Sequence, residues 1–336
     1  MTMPSNPPQH RSVTARDADV VPDASRPTPG PIAVLPRANP VFVDAVEAGG
    51  GEVAELSAET RGVVWLSLSG AQDLTDILAR YPQIEWVQLP WAGVDGFAEV
   101  LRPFAGTDLP LWTSAKGAYA QPVAEHALAL TLGLLRVFPT RVRATSWSTI
   151  PEGRSLYGLS VVVVGAGGIA IEFLRLLEPF GATVTVVRRS SDHLEGADRT
   201  ITADRLHTVL PRADVVVIAA ALTEGTRHLF GAEQFDLMKD DAVLVNIARG
   251  GLVDTDALAD ALERGTIAGA GIDVTDPEPL PDGHRLWNAP NLIITPHSAD
   301  TPDMTAPLLA ERITANTEAF LDDGRFIGIV DTTAGY

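Results

Sequence analysis

Apolar residues in this chain gather into short runs separated by segments of a different period. PIAVLP, GVVWLSL, IEWVQLP and PLWT, between residues 31 and 113, are compact β-branched and aromatic runs that predict strands. Between them, NPVFVDAVEAGG and AQDLTDILARY space their apolar positions as amphipathic helices do. Strand and helix alternate, which predicts a small α/β unit with a parallel sheet. Residues 120–138, AQPVAEHALALTLGLLRVF, predict one long helix with Pro122 in its first turn and Pro139 as its stop. That helix is apolar nearly all round, so a subunit interface or a domain interior must cover it.

A second alternating series begins near Leu159. VVVVG, ATVTVV, RTIT, DVVVIAA, AVLVNI, GAGIDV and NLIIT predict strands, mostly unbroken β-branched runs of the kind that helices cover on both faces. TADRLHTVL, GAEQFDLM and TDALADALERG predict crossover helices, and a helix from Met304 to Leu321 followed by FIGIV closes the series. Residues 1–31 hold seven prolines and few large apolar side chains, which predicts a disordered tail.

Composition narrows the chemistry. The 336 residues make about two domains, and a 46% hydrophobic, 20% charged mix is that of a globular protein. With 25 basic and 43 acidic residues the net charge is −18, which argues against nucleic acid as a partner and leaves room for a small anion in a local basic pocket. The absence of cysteine removes disulfides, thiolate metal sites and a cysteine nucleophile, and no metal site is expected. The most apolar stretch, Ala127 to Leu135, is far short of the ~20 residues of a membrane span. The expected location is the cytoplasm, with no membrane partner.

The clearest local motif is VVVVGAGGIAIEFLRLL, where a strand enters Gly165-Ala166-Gly167-Gly168-Ile169-Ala170 and a helix follows. This is G-x-G-x-x-G/A in its strand–turn–helix context. Gly165 permits the tight turn, Gly167 lets a pyrophosphate approach the backbone, and Ala170 allows close helix–strand packing. The helix N-terminus offers N–H groups to phosphate. A purely structural glycine turn is the alternative. About 20 residues on, where an NAD site carries an acidic residue for the ribose, stands Arg188, followed by Arg189 and Ser190. They read either as a clamp on a 2′-phosphate, favouring NADP with NAD possible, or as surface arginines.

Of seven histidines, His297 stands apart because NLIITPHSAD puts it directly after a strand. His126 lies in the buried helix and reads as packing. AVLVNIARGG delivers Arg249 after one strand, and GAGIDVTDPEPLP delivers Asp273 and Glu278 after the next. Each could be structural alone. Ligands in such folds bind at the carboxyl edge of the sheet, where all of these residues converge.

VVVVGAGGIA, VLVNIARGGLVD, GAGIDVTDPEPLP and NLIITPHSA, in this order, resemble the successive motifs of the D-isomer-specific 2-hydroxyacid dehydrogenases. AYAQPVAEHALAL and WAGVDG resemble that family's interdomain helix entry and substrate loop, so the likeness spans about residues 60–300. The resemblance implies a Rossmann-type nucleotide-binding domain, 117–299, inserted into a smaller flavodoxin-like α/β substrate domain made of 32–116 and 300–336, with the active site in the cleft between them. It implies that His297 is the general acid, Glu278 its partner, and Arg249 the grip on the substrate carboxylate. Backbone N–H groups of Ala92 and Gly93 would help hold that carboxylate. Gly165, Gly167, Gly168, Ile169, Arg188, Arg189, Ser190, Ala220, Thr226, Ala248, Asp273 and His297 would touch the cofactor. Ala221 departs from the proline that the family often has there, and Trp91 makes the substrate loop bulky. Lys116 and Tyr119 lie near the domain crossing.

The implied function is hydride transfer between NAD(P)H and a small 2-oxo acid, glyoxylate or hydroxypyruvate first, by a cytoplasmic homodimer. A D-3-phosphoglycerate dehydrogenase-like enzyme and an NAD(P)-sensing protein of corepressor type are the alternatives. A formate dehydrogenase is disfavoured because Glu278 stands where that enzyme would have Gln.

Overall fold

The computed structural model describes residues 9–13, 18–67 and 71–334. The chain divides into two compact units, Met1–Tyr119 with Pro302–Tyr336, and Ala120–Thr301. Strand β1 (Asp19–Val20) opens the first unit. Four parallel strands then lie in chain order: β2 (Ile32–Leu35), β3 (Gly62–Trp65), β4 (Trp86–Gln88) and β5 (Leu111–Thr113). A parallel bridge from Ile32 to Val53 adds a rudimentary edge. Counted with that edge, the strand order is 2-1-3-4-5, the flavodoxin-like arrangement. Helices α1 (Pro40–Ala48), α2 (Ala71–Arg80) and α3 (Ala98–Leu101) connect these strands. The Asn39 side chain accepts from Val41 N–H to start α1, with Pro40 in the first turn. Leu68, at the end of the predicted run GVVWLSL, lies outside the described residues.

The second unit begins with α4 (Ala120–Leu135) and α5 (Phe138–Arg143). Pro139 does not stop the long helix. Val137 takes a left-handed conformation after Leu135, and Pro139 falls in the first turn of α5, where its missing N–H costs nothing. Next come β6 (Ser160–Val164), α6 (Gly168–Leu177), β7 (Thr183–Arg188), β8 (Arg199–Thr202) and β9 (Val215–Ile218). The series continues through α7 (Ala232–Leu237), β10 (Val243–Asn246), α8 (Thr255–Arg264), β11 (Gly269–Ile272) and β12 (Leu292–Ile294). All seven strands are parallel, in the order β12-β11-β10-β9-β6-β7-β8. This is the doubly wound Rossmann order, with its reversal between β6 and β9. The valines of β6 and β9 are buried, as two-sided coverage demands. TADRLHTVL forms a 3-10 helix over Ala203–Thr208 rather than an α-helix: a second 3-10 turn containing Pro211 follows immediately and leaves no length for propagation. Helix α4 packs on α6, β10, β11 and β12, so the interior of this unit covers its apolar surface.

The chain then returns to the first unit as α9 (Pro302–Leu321) and β13 (Arg325–Phe326). Trp86 stacks on Phe320 at 5.0 Å and lies 6.1 Å from Phe326. Asn316 donates to Gln88 Oε1 (2.7 Å), which also accepts from Thr113 Oγ1 (2.9 Å). Such a satisfied buried network fixes how α9 meets the sheet. The predicted disorder of residues 1–31 needs correction. Residues 1–8 and 14–17 lie outside the described ones, but β1 pairs antiparallel with β13 and Val21 is buried. Arg26 Nε donates to Val21 O, and Thr28 N–H donates to Glu85 Oε2 at 2.6 Å. Specific anchors outweigh the proline-rich composition here.

Candidate active site

The glycine loop sits at the point where the strand order reverses. Gly165 has φ +121°, and a Cβ there would lie 2.3 Å from Ala219 O, so only glycine lets β6 turn beside the chain leaving β9. Around Gly167 the space is open: an added Cβ would meet nothing within 4 Å. Helix α6 starts at Gly168 with no described side chain capping it, and its first N–H groups precede the first intrahelical bond, Ile171 N to Gly167 O. An uncapped N-terminus behind an open glycine fits a dinucleotide pyrophosphate.

Three neighbouring strands, β10, β11 and β12, deliver the remaining candidates at their carboxyl ends. Buried Asn246 shapes the first turn: its amide donates to Arg249 O (2.9 Å) and its carbonyl accepts from Ala248 N–H (3.1 Å). Arg249 is half-buried, and its Nη1 donates to Ala248 O. Gly250 follows because a Cβ there would sit 1.9 Å from Thr275 O. Thr255 Oγ1 donates to Asp276 O (2.6 Å) and Arg227 pairs with Asp276 (3.1 Å), so the loops after β9, β10 and β11 are stapled together. His297 is exposed and adopts φ +50°, a left-handed backbone uncommon outside glycine. Its Nδ1 lies 2.6 Å from Glu278 Oε1. A carboxylate only accepts, so Nδ1 carries the hydrogen and Nε2 is left to face a ligand. Asp273 is buried, with both oxygens engaged: Oδ1 accepts from Ser298 N–H (2.9 Å) and Thr295 Oγ1 (2.5 Å), and Oδ2 from Ala299 N–H (3.1 Å). Burial, opposed by His297 and reinforced by the Asp273 charge, pushes the Asp300 carboxyl above its ordinary range.

A family model described as "D-isomer specific 2-hydroxyacid dehydrogenase, NAD binding domain" matches residues 127–299, just over half of the chain. The chain belongs to this family. The dehydrogenase is 40% identical over 258 residues to an uncharacterised protein of Corynebacterium melassecola from the proB 3′ region, covering 75% of this chain and 84% of that one. It is 30% identical over 258 residues to the glycerate dehydrogenase of Methylorubrum extorquens, covering 73% and 79%. The crystal structure of the NADPH-dependent glyoxylate/hydroxypyruvate reductase of Sinorhizobium meliloti, in complex with NADP and sulfate, is similar with a TM-score of 0.72 at 26% identity, covering 91% of this chain and 100% of that one. Membership makes this protein an NAD(P)-dependent oxidoreductase acting on CH–OH donors, with the Rossmann-type nucleotide-binding unit described above.

The other expected site residues in the dehydrogenase are placed as follows. Ile169 is half-buried in the first turn of α6, and Ala220 lies beside Gly165, whose added Cβ would also approach Ala220 N. Ala248 is buried within the Asn246 turn. Thr226 Oγ1 donates to Ala221 O (2.8 Å), so it closes its own loop. Arg188 ends β7, Arg189 is exposed, and the Ser190 hydroxyl donates to Asp192 Oδ2 (2.9 Å), a carboxylate the sequence reading did not weigh. In the first unit, Ala92 and Gly93 are half-buried and their N–H groups have no hydrogen-bond partner among the described residues. Tyr119 braces that loop from behind, donating to Pro90 O at 2.6 Å and meeting Trp91 edge-on. Sequence reading missed Asn246 and Thr295. The only signal was a polar residue ending an otherwise apolar strand run.

Proposed function

We propose that this dehydrogenase reduces a small 2-oxo acid, glyoxylate or hydroxypyruvate first, to the D-2-hydroxy acid. The observation that carries this reading is the 2.6 Å His297–Glu278 pair, which joins the loop after β12 to the loop after β11, the strand that bears Asp273 and adjoins β10 with Arg249. A nicotinamide dinucleotide, when bound, would supply the hydride. Gly165, Gly167, Gly168 and Ile169 would hold its pyrophosphate. Arg249 offers a planar fork to the substrate carboxylate, a two-point grip that also polarises the adjoining carbonyl. His297, as imidazolium, donates its Nε2 proton to the 2-oxo oxygen, while Glu278 stabilises the charged ring and fixes its orientation. In the reverse direction the neutral ring takes the hydroxyl proton. Ala92 and Gly93, whose N–H groups have no hydrogen-bond partner among the described residues, would add to the grip on the carboxylate. An initial-rate screen of 2-oxo acids with NADPH and NADH tests this. Turnover of glyoxylate or hydroxypyruvate is expected, and no turnover with any 2-oxo acid would favour a cofactor-sensing protein instead.

Arg188 and Arg189 support NADP(H) over NAD(H), because a 2′-phosphate seeks guanidinium groups that a ribose hydroxyl does not. The preference is expected to be one to two orders in kcat/KM, about 1.5–3 kcal/mol. Arg188→Asp should reverse or erase it, and an unchanged ratio returns both arginines to the surface.

A homodimer is supported by a surface rather than by α4. Phe138, Val142, Trp147 and Ile150 are exposed by 55, 78, 93 and 63% within one short segment that also bears Arg136, Arg141 and Arg143. An apolar patch of this kind is a contact surface. Within the segment Arg141 pairs with Glu152 (3.3 Å) and donates to Ile150 O (3.0 Å), which ties the stretch to itself. Trp147→Glu should shift the sedimentation coefficient to that of a monomer, whereas an unchanged value removes the patch from assembly. Among the described residues no helix is long and apolar enough to cross a membrane, and the cytoplasm is the location we infer.

A further inference from the structure

His297 holds an unfavourable backbone conformation, and such strain persists only where the surroundings over-determine it. Here one residue meets most of the loop's amides. Asp273 O accepts from His297 N–H (2.7 Å), and the Asp273 carboxylate accepts from Ser298 and Ala299 N–H. Three successive amides of the histidine loop thus converge on one aspartate, and the remaining question is what fixes the aspartate. Its third carboxylate donor is Thr295 Oγ1, at 2.5 Å. The threonine hydroxyl spends its hydrogen there, since a carboxylate has none to give. His126 Nε2 lies 2.9 Å from the same Oγ1, so the ring must be the donor in that contact. The hydrogen bonds therefore converge on Asp273, from His126 Nε2–H through the Thr295 hydroxyl on one side and from the three loop N–H groups on the other. His126 itself is 3.7 Å from Asp273 Oδ1 and projects from α4.

We propose that His126 and Thr295 are positioning residues for the general acid: the directed chain His126–Thr295–Asp273 holds the amides of residues 297–299 and thereby keeps the His297 ring on Glu278. This rests on the reading of His297 as the proton donor. A misaimed acid loses transition-state stabilisation without loosening ground-state binding, so kcat and kcat/KM fall together. Thr295→Val keeps the shape and removes the hydroxyl, leaving a buried carboxylate oxygen one donor short. Loss of a hydrogen bond to a charged group is worth roughly 10- to 100-fold.

The test combines kinetics with amide hydrogen exchange on the full-length enzyme. Thr295→Val is expected to lower kcat by about 10- to 100-fold with KM for the 2-oxo acid and for NADPH within about two-fold, and to speed exchange at Ser298 and Ala299 by a similar factor. Thr295→Ser should restore both, since it returns the hydroxyl. His126→Gln, which keeps a donor at comparable reach, should resemble the parent, and His126→Leu should resemble Thr295→Val. The His126 pair decides the matter if Thr295→Val does not fold. Parent-like kcat and protection in Thr295→Val or His126→Leu overturn the proposal, as does a loss of kcat that leaves exchange at 298 and 299 unchanged. If the parent reduces no 2-oxo acid, the functional reading fails instead, and the exchange measurement still tells whether the chain holds the loop.

Discussion

Replacing His297 by Asn removes the proton donor with little disturbance to its surroundings. The backbone at 297 has φ +50°, a conformation asparagine tolerates better than most residues, and both hydrogen bonds of its N–H, to Asp273 O (2.7 Å) and Thr295 O (3.0 Å), are main-chain bonds that the substitution retains. An alanine there would add roughly 1 kcal/mol of left-handed strain and blur the result. The side chain is about half exposed, so little packing is lost. What disappears is the ring nitrogen opposite Glu278. Positioned general acids contribute roughly two to four orders of rate, or about 3–5 kcal/mol of barrier at 1.36 kcal/mol per decade. We therefore expect kcat for glyoxylate or hydroxypyruvate reduction to fall by that factor in His297→Asn. Thermal midpoint and NADPH affinity, read by fluorescence, should stay at parent values. A variant within about five-fold of the parent kcat would refute the assignment, because no mechanism that relies on this donor leaves so much activity.

Glu278→Gln keeps a hydrogen bond but loses the charge that stabilises the charged ring, so kcat for reduction should fall with little change in KM; a parent-like kcat would mean that Glu278 does not assist. Arg249→Lys should raise KM for the 2-oxo acid and lower kcat together, since one ammonium cannot reproduce a planar fork, and initial-rate kinetics with only small effects on both would make Arg249 structural. Asp214, at the start of β9, is desolvated, which alone would raise its pKa, yet Lys239, the Ser160 N–H and Arg154 together hold it below the ordinary carboxylate value. Asp214→Asn should destabilise the nucleotide-binding unit by about 1–3 kcal/mol near neutrality. Because the folded pKa is depressed, that difference is full above the ordinary carboxylate range and should close as pH falls from there through the lower folded pKa, which thermal unfolding across pH will show.

Why some of this was legible in the sequence follows from the range of the forces involved. Valine runs such as those of β6 and β9 declare a strand buried on two faces because the pattern is local. The glycines at 165 and 167 declare a turn and an opening for the same reason. His297, Glu278 and Arg249 could be picked out because each lies in a loop that leaves the carboxyl end of a strand. The Val53 edge is a single bridge and leaves no periodic trace. The segment 18–31 reads as disordered by composition, whereas its order depends on β13 and Glu85, far along the chain. The partnership of His126 with Thr295 joins positions 169 apart, and nothing near either residue announces it.

The contact at Gly250 has a consequence for motion. With no room for even a methyl group between the β10 loop and Thr275, and with Asp276 tied to both Thr255 and Arg227, the backbone carrying Arg249 and Glu278 behaves as one block. Local opening of either loop alone would have to break the whole set at once. Within these two loops the adjustable parts are therefore the side-chain rotamers of Arg249 and Glu278, which change on the picosecond-to-nanosecond scale, and the backbone that bears them is the frame.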